Sequence, residues 1–193
     1  MPNIGDAAQR PVAEGNARRI AIMHAALATF ARFGYRKTSM EEVARAARIS
    51  RPGLYFLFAS KEQLFREVVS HVLWEDLAEV ERQLSTPGLP LAERIVSAFD
   101  QWAGRYVGPL ARDLAALIET NPEILGDIVT QAPERFSALV TDAITSSETP
   151  EHRERAAALA QTLISASIGI KYQADTRDEY TARFATAVDL LLR

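Results

Sequence analysis

The sequence predicts an all-α protein. Apolar side chains recur at three- and four-residue steps along most of the 193 residues, a spacing that places them on one face of a helix. No segment alternates apolar and polar residues as a half-buried strand does. Capping residues and proline–glycine breaks divide the chain into about nine helices. We therefore expect a flexible tail over residues 1–15, a three-helix head over residues 16–60 and a helical domain over residues 61–193.

Composition narrows the class of protein. The chain has no cysteine, which excludes disulfides and thiolate metal sites, and we expect no metal and no cofactor. Residues 1–15 lack an apolar run that could serve as a secretory signal, and no segment has the length and apolarity of a membrane span. We therefore expect a cytoplasmic protein with no membrane partner.

The second helix of the head is predicted by its cap. Thr38 or Ser39 can accept a hydrogen bond from the first amides of a helix, and Glu41 or Glu42 stands where a capping box needs an acidic side chain. The helix before it, over residues 18–33, ends at Gly34, because glycine adopts the left-handed C-terminal cap most easily.

The third helix is short and follows closely. Ser50 is its expected N-cap, and Pro52 lies in the first turn, where a proline loses no hydrogen bond. Only residues 48–50 separate the second and third helices, so the two must cross steeply. That geometry lets one helix enter a DNA major groove while the other rests against the backbone. A fourth helix over residues 61–84 opens at Ser60.

Charge is divided unevenly along the chain. Residues 1–61 hold ten basic and four acidic side chains, whereas residues 62–193 hold twelve basic and twenty-one acidic ones. The net charges of +6 and -9 together give the overall -3. A basic head would attract phosphates, and an acidic body would orient the molecule on approach.

The segment from Phe33 to Leu64 reads FGYRKTSMEEVARAARISRPGLYFLFASKEQL, and with its flanks it resembles the head of tetracycline-repressor (TetR) family regulators. The resemblance covers roughly residues 17–65. It implies a transcriptional regulator, usually a repressor, that binds a palindromic operator in double-stranded DNA as a homodimer. It also implies a small-molecule effector in the C-terminal domain that tilts the helix over residues 61–84 and releases the operator.

The resemblance assigns DNA contacts to eight residues, and Arg48, which departs from the family pattern, adds a charge that could compensate for a lost backbone contact. Thr38 and Lys61 would contact phosphates, and Arg51 would bond a guanine bidentately. Tyr55 would reach the backbone, and Phe56 would touch a thymine methyl or cover the sugar. The predicted set is Thr38, Arg48, Ser50, Arg51, Pro52, Gly53, Tyr55, Phe56 and Lys61. Two alternatives remain open, in which Pro52 only starts the helix and Tyr55 is partly core.

Two residues depart from the family pattern. Arg48 replaces the usual glycine of the turn, so the backbone there either avoids a positive φ or is strained by it. Leu57 stands where histidine or tyrosine is common, and leucine cannot hydrogen-bond a phosphate. These departures keep an alternative function open, namely a helical dimerisation or interaction protein whose degenerate helix-turn-helix binds no operator.

The C-terminal domain is predicted to contain five helices after the fourth, over residues 91–107, 110–119, 122–146, 150–174 and 176–192, with Pro133 bending or splitting the third of these. Aromatic and apolar residues within it are candidates for an effector pocket, although plain core is the commoner role of such residues. The pocket candidates are Phe99, Trp102, Tyr106, Leu117, Asn121 and Phe136.

Two apolar stripes on the last two helices are candidates for a dimer interface, because small residues between them permit close helix approach. The alternative is that both stripes close the subunit's own core. The interface candidates are Leu159, Leu163, Ala166, Ile170, Tyr180, Phe184 and Val188. The family resemblance implies that these two helices pair with the same helices of a second subunit.

An enzyme is not expected. The three histidines, His24, His71 and His152, are far apart in sequence. The chain has no HExxH, no glycine-rich phosphate loop and no GxSxG.

Overall fold

The computed structural model describes the backbone of residues 4–108, 116–147 and 149–193, and the side chains of the same residues from 16 onward. All regular structure in these ranges is helical, which confirms the predicted class. Residues 116–119 are helical, and the other helices are α1 Ile4–Phe33, α2 Met40–Ala46, α3 Arg51–Leu57, α4 Lys61–Leu84, α5 Leu91–Trp102, α6 Pro122–Leu125, α7 Ile128–Thr145, α8 Pro150–Glu154, α9 Ala156–Gln173 and α10 Arg177–Leu191, with a 3-10 turn at Gly104–Tyr106.

Several boundaries differ from the sequence prediction. Helix α1 begins at Ile4, so most of the segment predicted as a flexible tail is helical. The helix predicted over residues 122–146 is interrupted at Gly126, whose φ is 65°, and Pro133 lies inside α7 without ending it. The helix predicted over residues 150–174 is interrupted at Arg155. The helix predicted over residues 110–119 falls mostly in residues 109–115, outside the described ranges.

The chain forms two compact units. The N-terminal unit comprises Met1–His71 and Leu117–Gly126, and the C-terminal unit comprises Val72–Ala116 and Asp127–Arg193. The first part of α4 therefore belongs to the N-terminal unit, beyond the boundary at residue 60 that the sequence suggests. Leu64, Phe65 and Val68 explain this difference, because all three are completely buried there.

Aromatic rings form the centre of the N-terminal unit. Phe30 of α1 meets Phe65 of α4 edge to face, with ring centroids 5.1 Å apart, and Tyr35 lies 4.8 Å from Phe65. Leu54 and Phe58 are completely buried, as expected for core residues. Each such side chain contributes about 1.5–3 kcal/mol by leaving water, so α3 is held by its inner face while its outer face stays exposed.

The C-terminal unit has its own aromatic core. Phe99 of α5 stacks on Phe184 of α10 at 4.4 Å and meets Phe136 of α7 edge to face at 4.9 Å. Tyr180 is fully buried, with its hydroxyl 2.7 Å from that of Ser167. Helices α5, α7 and α10 thus pack around one group of aromatic rings, and α9 joins them through the contact of Ser167 with Tyr180. None of the described helices combines the length and apolarity that a membrane crossing requires.

Candidate nucleic-acid interface

The turn between α1 and α2 is closed by its own backbone. Gly34 has a φ of 77°, and its amide donates to the Phe30 carbonyl at 2.8 Å, as the predicted C-cap requires. Thr38 is only 2% exposed, and its hydroxyl donates to the Gly34 carbonyl at 2.9 Å. The hydroxyl of Thr38 is therefore used inside the turn, and its contact with a phosphate stays a prediction.

Helix α2 begins at a complete capping box. The amide of Glu42 donates to the Ser39 hydroxyl at 3.2 Å, and the amide of Ser39 donates to the Glu42 carboxylate at 2.7 Å. Of the two pairs that the sequence allows, the box uses Ser39 and Glu42. These bonds from Ser39 lower the pKa of the Glu42 carboxyl, because they stabilise its charged form.

The turn between α2 and α3 places Arg48 in the left-handed region, with a φ of 53°. The Arg48 amide donates to the Arg45 carbonyl at 3.2 Å, and the Ile49 amide donates to the Ala44 carbonyl at 3.0 Å. This bond pattern is a Schellman motif, which normally has glycine at the Arg48 position. The sequence left two outcomes open for Arg48, a backbone that avoids a positive φ and one that is strained by it. The structure has the second, with a positive φ at a residue that carries a Cβ.

Helix α3 presents its outer face to solvent. The Ser50 hydroxyl accepts from the Gly53 amide at 3.1 Å, and Pro52 lies in the first turn, so the helix starts as predicted. Arg51 is exposed, and its guanidinium carbon lies 5.6 Å from the centre of the Tyr55 ring. Tyr55 is 41% exposed and Phe56 is 89% exposed. The helix therefore exposes a cation and two aromatic rings to solvent.

The ammonium of Lys61 makes its contacts within the chain. Its Nζ donates to the carbonyls of Tyr35 and Thr38, each at 3.0 Å, and lies 4.4 Å from the centre of the Tyr35 ring. The lysine joins the start of α4 to the turn between α1 and α2. Its predicted phosphate contact stays a prediction, and a structural role stands beside it.

Arg19 supports α3 from behind, a role that the sequence did not reveal. Its Nη1 donates to the Leu57 carbonyl at 3.1 Å, its Nη2 pairs with the Glu67 carboxylate, and its guanidinium lies 4.2 Å from the centre of the Phe58 ring. The bonds span 38 and 48 residues, so no local pattern signals them. Arg19 thereby ties α1 and α4 to the end of α3.

A cleft of about 460 Å³ gathers several predicted contact residues beside α3. Arg48, Ser50, Gly53 and Phe56 line it, together with Arg18 and Arg19. Arg18 and Arg48 are exposed and have no partner among the described side chains. Of the nine predicted residues, Arg51, Pro52 and Tyr55 lie on the same helix outside this cleft. Arg18 is a further exposed cation that the sequence pattern did not single out.

The sequence of the head matches a known domain. Residues 22–68 match the family model described as "Bacterial regulatory proteins, tetR family". Residues 22–68 are therefore similar to the N-terminal domain of this family of regulators. Because members of this family are DNA-binding transcriptional regulators, the match supports the prediction that the chain is not an enzyme.

Curated proteins that are similar in sequence are also named as transcriptional regulators or repressors. The uncharacterized helix-turn-helix regulator YhgD of Bacillus subtilis is 33% identical over 40% of each chain. The regulator RutR of Escherichia coli is 40% identical over 30% of this chain and 27% of its own. A protein of Escherichia coli named for repression of the acrEF/envCD operon is 28% identical over 67% of this chain and 61% of its own. The chain thus matches less than two thirds of the length of these relatives.

Solved structures extend the likeness of fold to both units. A proposed tetR-family regulator of Mesorhizobium loti aligns with a TM-score of 0.76 at 21% identity, over 92% of this chain and 96% of its own. GusR of Salmonella enterica aligns with a TM-score of 0.65 at 20% identity, over 91% and 95% of the two chains. At such identities the likeness concerns the fold alone.

Most of the residues predicted for a tetR-family dimer interface lie in the core. Five of the seven are at most 3% exposed, namely Leu159, Leu163, Tyr180, Phe184 and Val188, while Ala166 and Ile170 are half-buried. These five close the subunit's own core, as in the alternative that the sequence leaves open, and their part in a dimer contact stays a prediction. The same two helices expose Ile168, Tyr172 and Leu190 instead, by 54%, 75% and 64%.

The predicted pocket residues divide between the two units. Phe99, Trp102, Tyr106 and Phe136 belong to the C-terminal unit, where Trp102 stacks on Phe136 at 4.8 Å. Leu117 and Asn121 belong to the N-terminal unit. Phe99 and Phe136 are 1% and 2% exposed and pack as core, so their role towards an effector stays a prediction.

Tyr106 belongs to a buried polar network. Its hydroxyl and the guanidinium of Arg105 both bond the carboxylate of Asp76, which is 1% exposed, and Gln101 Nε2 donates to the same carboxylate at 2.9 Å. Burial raises the pKa of Asp76 and outweighs the bonds that lower it. Burial also raises the pKa of Tyr106, and the adjacent carboxylate adds to that effect.

Proposed function

We propose that the chain is a transcriptional repressor that acts in the cytoplasm and binds a palindromic operator as a homodimer. The outer face of α3 is the observation that supports this most strongly. It offers the exposed side chains of Arg51, Tyr55 and Phe56 on a capped helix whose inner face is buried. A guanidinium and two rings that project from a short, rigid helix suit contacts in a major groove.

The cations beside α3 support docking on the backbone. Arg48 in the preceding turn and Arg18 on α1 are exposed and without a partner among the described side chains. Exposed guanidinium groups attract phosphates without reading sequence, so they would fix the register while α3 reads base edges. In this proposal Arg51 specifies the sequence, and Arg18 and Arg48 position the head.

A dimer interface is proposed on the exposed face of α9 and α10. Ile168, Tyr172 and Leu190 are large apolar side chains left in water by the subunit itself. A group of such residues on two adjacent helices is typical of a surface that a partner covers. A second copy would place two α3 helices on the two halves of a palindrome.

Effector control is the remaining part of the proposal. In it, a small molecule bound by the C-terminal domain changes the angle of α4 and separates the two heads. The continuous helix α4 supports this idea, because its first residues are core of the N-terminal unit and its later residues belong to the C-terminal unit. A ligand that favours one of two arrangements would shift the population between them.

Selection of duplexes from a random pool, followed by gel shift of the purified full chain, tests this function. We expect a palindromic sequence that binds about a thousandfold more tightly than random duplex at moderate salt. Arg51→Ala should lower this ratio, whereas Arg153→Ala, which removes an exposed arginine of the C-terminal unit, should leave it unchanged.

Equal, weak binding of every duplex would instead favour the alternative of an interaction protein with a degenerate helix-turn-helix. The observation behind that alternative is Leu57, whose half-buried side chain lacks a polar group for a phosphate.

A further inference from the structure

A surface cleft of about 820 Å³ lies at one end of the C-terminal unit. Its walls come from the end of α4, the connection to α5, the first turn of α5, the residues after α7 and the start of α8. This volume is that of a small-molecule site, for which about 300–1,000 Å³ is typical. None of the six residues predicted for the effector pocket lines this cleft.

Arg94 on the first turn of α5 reaches the cleft with an unused donor. Its Nη1 donates to the Leu84 carbonyl at 2.6 Å and so caps the end of α4. Its Nε is buried and has no acceptor among the described residues. A buried donor without an acceptor costs about 1–3 kcal/mol, so this nitrogen favours an acceptor from outside the chain. The Nε and Nη2 edge of a guanidinium is the edge that binds a carboxylate side-on.

His152 on α8 supplies a second unused nitrogen in the same cleft. Its Nδ1 is buried and has no hydrogen-bond partner among the described residues. The unused nitrogens of Arg94 and His152 therefore belong to one cleft. None of the described residues that line the cleft is acidic.

The remaining lining is mixed. Ser85 and Ser146 contribute hydroxyls, while Leu89, Leu91 and Leu192 contribute apolar surface. A charged head group could thus sit at the two nitrogens while an apolar body covers the leucines.

We propose that this cleft binds a small amphipathic carboxylic acid, with the carboxylate between Arg94 and His152. The guanidinium edge would donate two parallel hydrogen bonds to the carboxylate, and the imidazole would donate a third from Nδ1. The leucines would cover the hydrocarbon part of the acid, at about 25 cal/mol for each Å² of apolar surface removed from water.

This inference deepens the proposed ligand response by naming a site and a ligand class, and only its regulatory consequence rests on the proposed function. Binding of the acid is a property of the C-terminal unit, and it can be measured without DNA. Operator release by the acid is a separate observation.

The histidines make the test selective. The chain has three of them, and only His152 lies in the C-terminal unit, since His24 and His71 belong to the N-terminal unit. We would label the full chain with ¹³C-histidine and titrate it with octanoate and benzoate while recording the imidazole resonances. The His152 signal should shift saturably, and those of His24 and His71 should not. Octanamide and benzamide, which lack the charge, should leave all three unchanged.

Substitutions separate the carboxylate contact from folding. Arg94→Lys keeps a cation that can cap Leu84 but loses the bidentate edge, so octanoate should bind about tenfold more weakly. His152→Phe should weaken binding as judged by calorimetry. Arg183→Lys, which changes an exposed arginine outside the cleft, is the matched control and should bind like the wild type.

Several results would overturn the proposal. They are an unmoved His152 signal up to about 10 mM acid, equal shifts from the amides, or unchanged affinity in Arg94→Lys. Absence of acid binding together with intact operator binding would refute this inference alone. Acid binding without any operator binding would support the cleft and refute the proposed repressor.

Discussion

The ammonium of Lys61 lies 4.4 Å from the centre of the Tyr35 ring and donates to the Tyr35 carbonyl at 3.0 Å. The two residues are 26 positions apart, with α2 and α3 between them, so this contact joins the two ends of the helix-turn-helix segment. Burial raises the pKa of Tyr35, and the charge of Glu62 adds to that effect. The ring therefore stays neutral at physiological pH and keeps its face available to the cation.

Lys61→Met should destabilise the chain by about 1–2 kcal/mol, because two carbonyls lose their charged donor. Urea unfolding followed by circular dichroism measures this. Lys37→Met removes an exposed lysine from the same turn and is the control, with a change of less than about 0.5 kcal/mol. Equal stabilities of the two variants, with weaker DNA binding only in Lys61→Met, would favour the phosphate contact that the family resemblance implies.

Arg48→Gly should stabilise the chain by about 0.5–1 kcal/mol. The substitution removes a strain of about 1–2 kcal/mol, which a left-handed residue with a Cβ carries. Part of this gain is lost because glycine gives the unfolded chain more conformational entropy. Arg45→Gly, three residues earlier inside α2, should instead destabilise the chain by about 1 kcal/mol. Thermal unfolding of both variants compares them directly. A lower melting temperature for Arg48→Gly would contradict the strained turn.

The parts of the head that the sequence predicts are local. The caps join residues three apart, as in Ser39 with Glu42 and Ser50 with Gly53, so side-chain type and spacing are sufficient. The bond between Arg19 and Glu67 spans 48 residues and depends on how α1 packs on α4. Spacing along the chain holds no information about such a pair, and the support of α3 by Arg19 could not be predicted.

The dimer prediction illustrates a second limit. Helical periodicity identifies an apolar stripe but does not say what covers it. Leu163 and Phe184 are completely buried by their own subunit, whereas Ile168 on the same α9 is 54% exposed. A stripe of core residues and a stripe of interface residues differ by one or two positions, so only the packed structure separates them.

Arg51→Ala should relax base preference at one position of each half-site, with a loss of about 1–3 kcal/mol of discrimination. Arg48→Ala should weaken binding to all duplexes and reduce the slope of log affinity against log salt by about one. Fluorescence anisotropy with the selected operator and single-base variants, at several salt concentrations, measures both effects. The same loss on every duplex from both variants would show that neither side chain reads a base.

Ile168→Glu should convert the proposed homodimer to a monomer, because a carboxylate in a covered apolar interface lacks a partner. The folded subunit should be little affected, since this side chain is already 54% exposed. Sedimentation velocity determines the mass, and circular dichroism checks the fold. Ala138→Glu changes an exposed position on α7 and should stay dimeric. A dimeric Ile168→Glu would place the interface elsewhere.

Asp76→Ala should destabilise the chain by about 2–4 kcal/mol, since Tyr106, Arg105 and Gln101 lose a buried acceptor. Asp142→Ala removes an exposed carboxylate from α7 and should change stability by less than about 0.5 kcal/mol. Urea unfolding at pH 7 compares the two variants. Equal stabilities would mean that the network contributes nothing to folding.

The pH dependence of the same site has a defined sign. Because the pKa of Asp76 is raised above 3.8 in the folded state, the folded chain takes up this proton before the unfolded chain does. The stability gained from that proton is complete below pH 3.8 and is lost as the pH rises through the raised value. The wild type should therefore gain stability relative to Asp76→Asn, which has no such proton, between pH 7 and about pH 4. Urea unfolding of both proteins across this range measures the difference. A wild type that loses stability relative to Asp76→Asn on acidification would mean that its bonds to Arg105 and Tyr106, and not burial, dominate the pKa of Asp76.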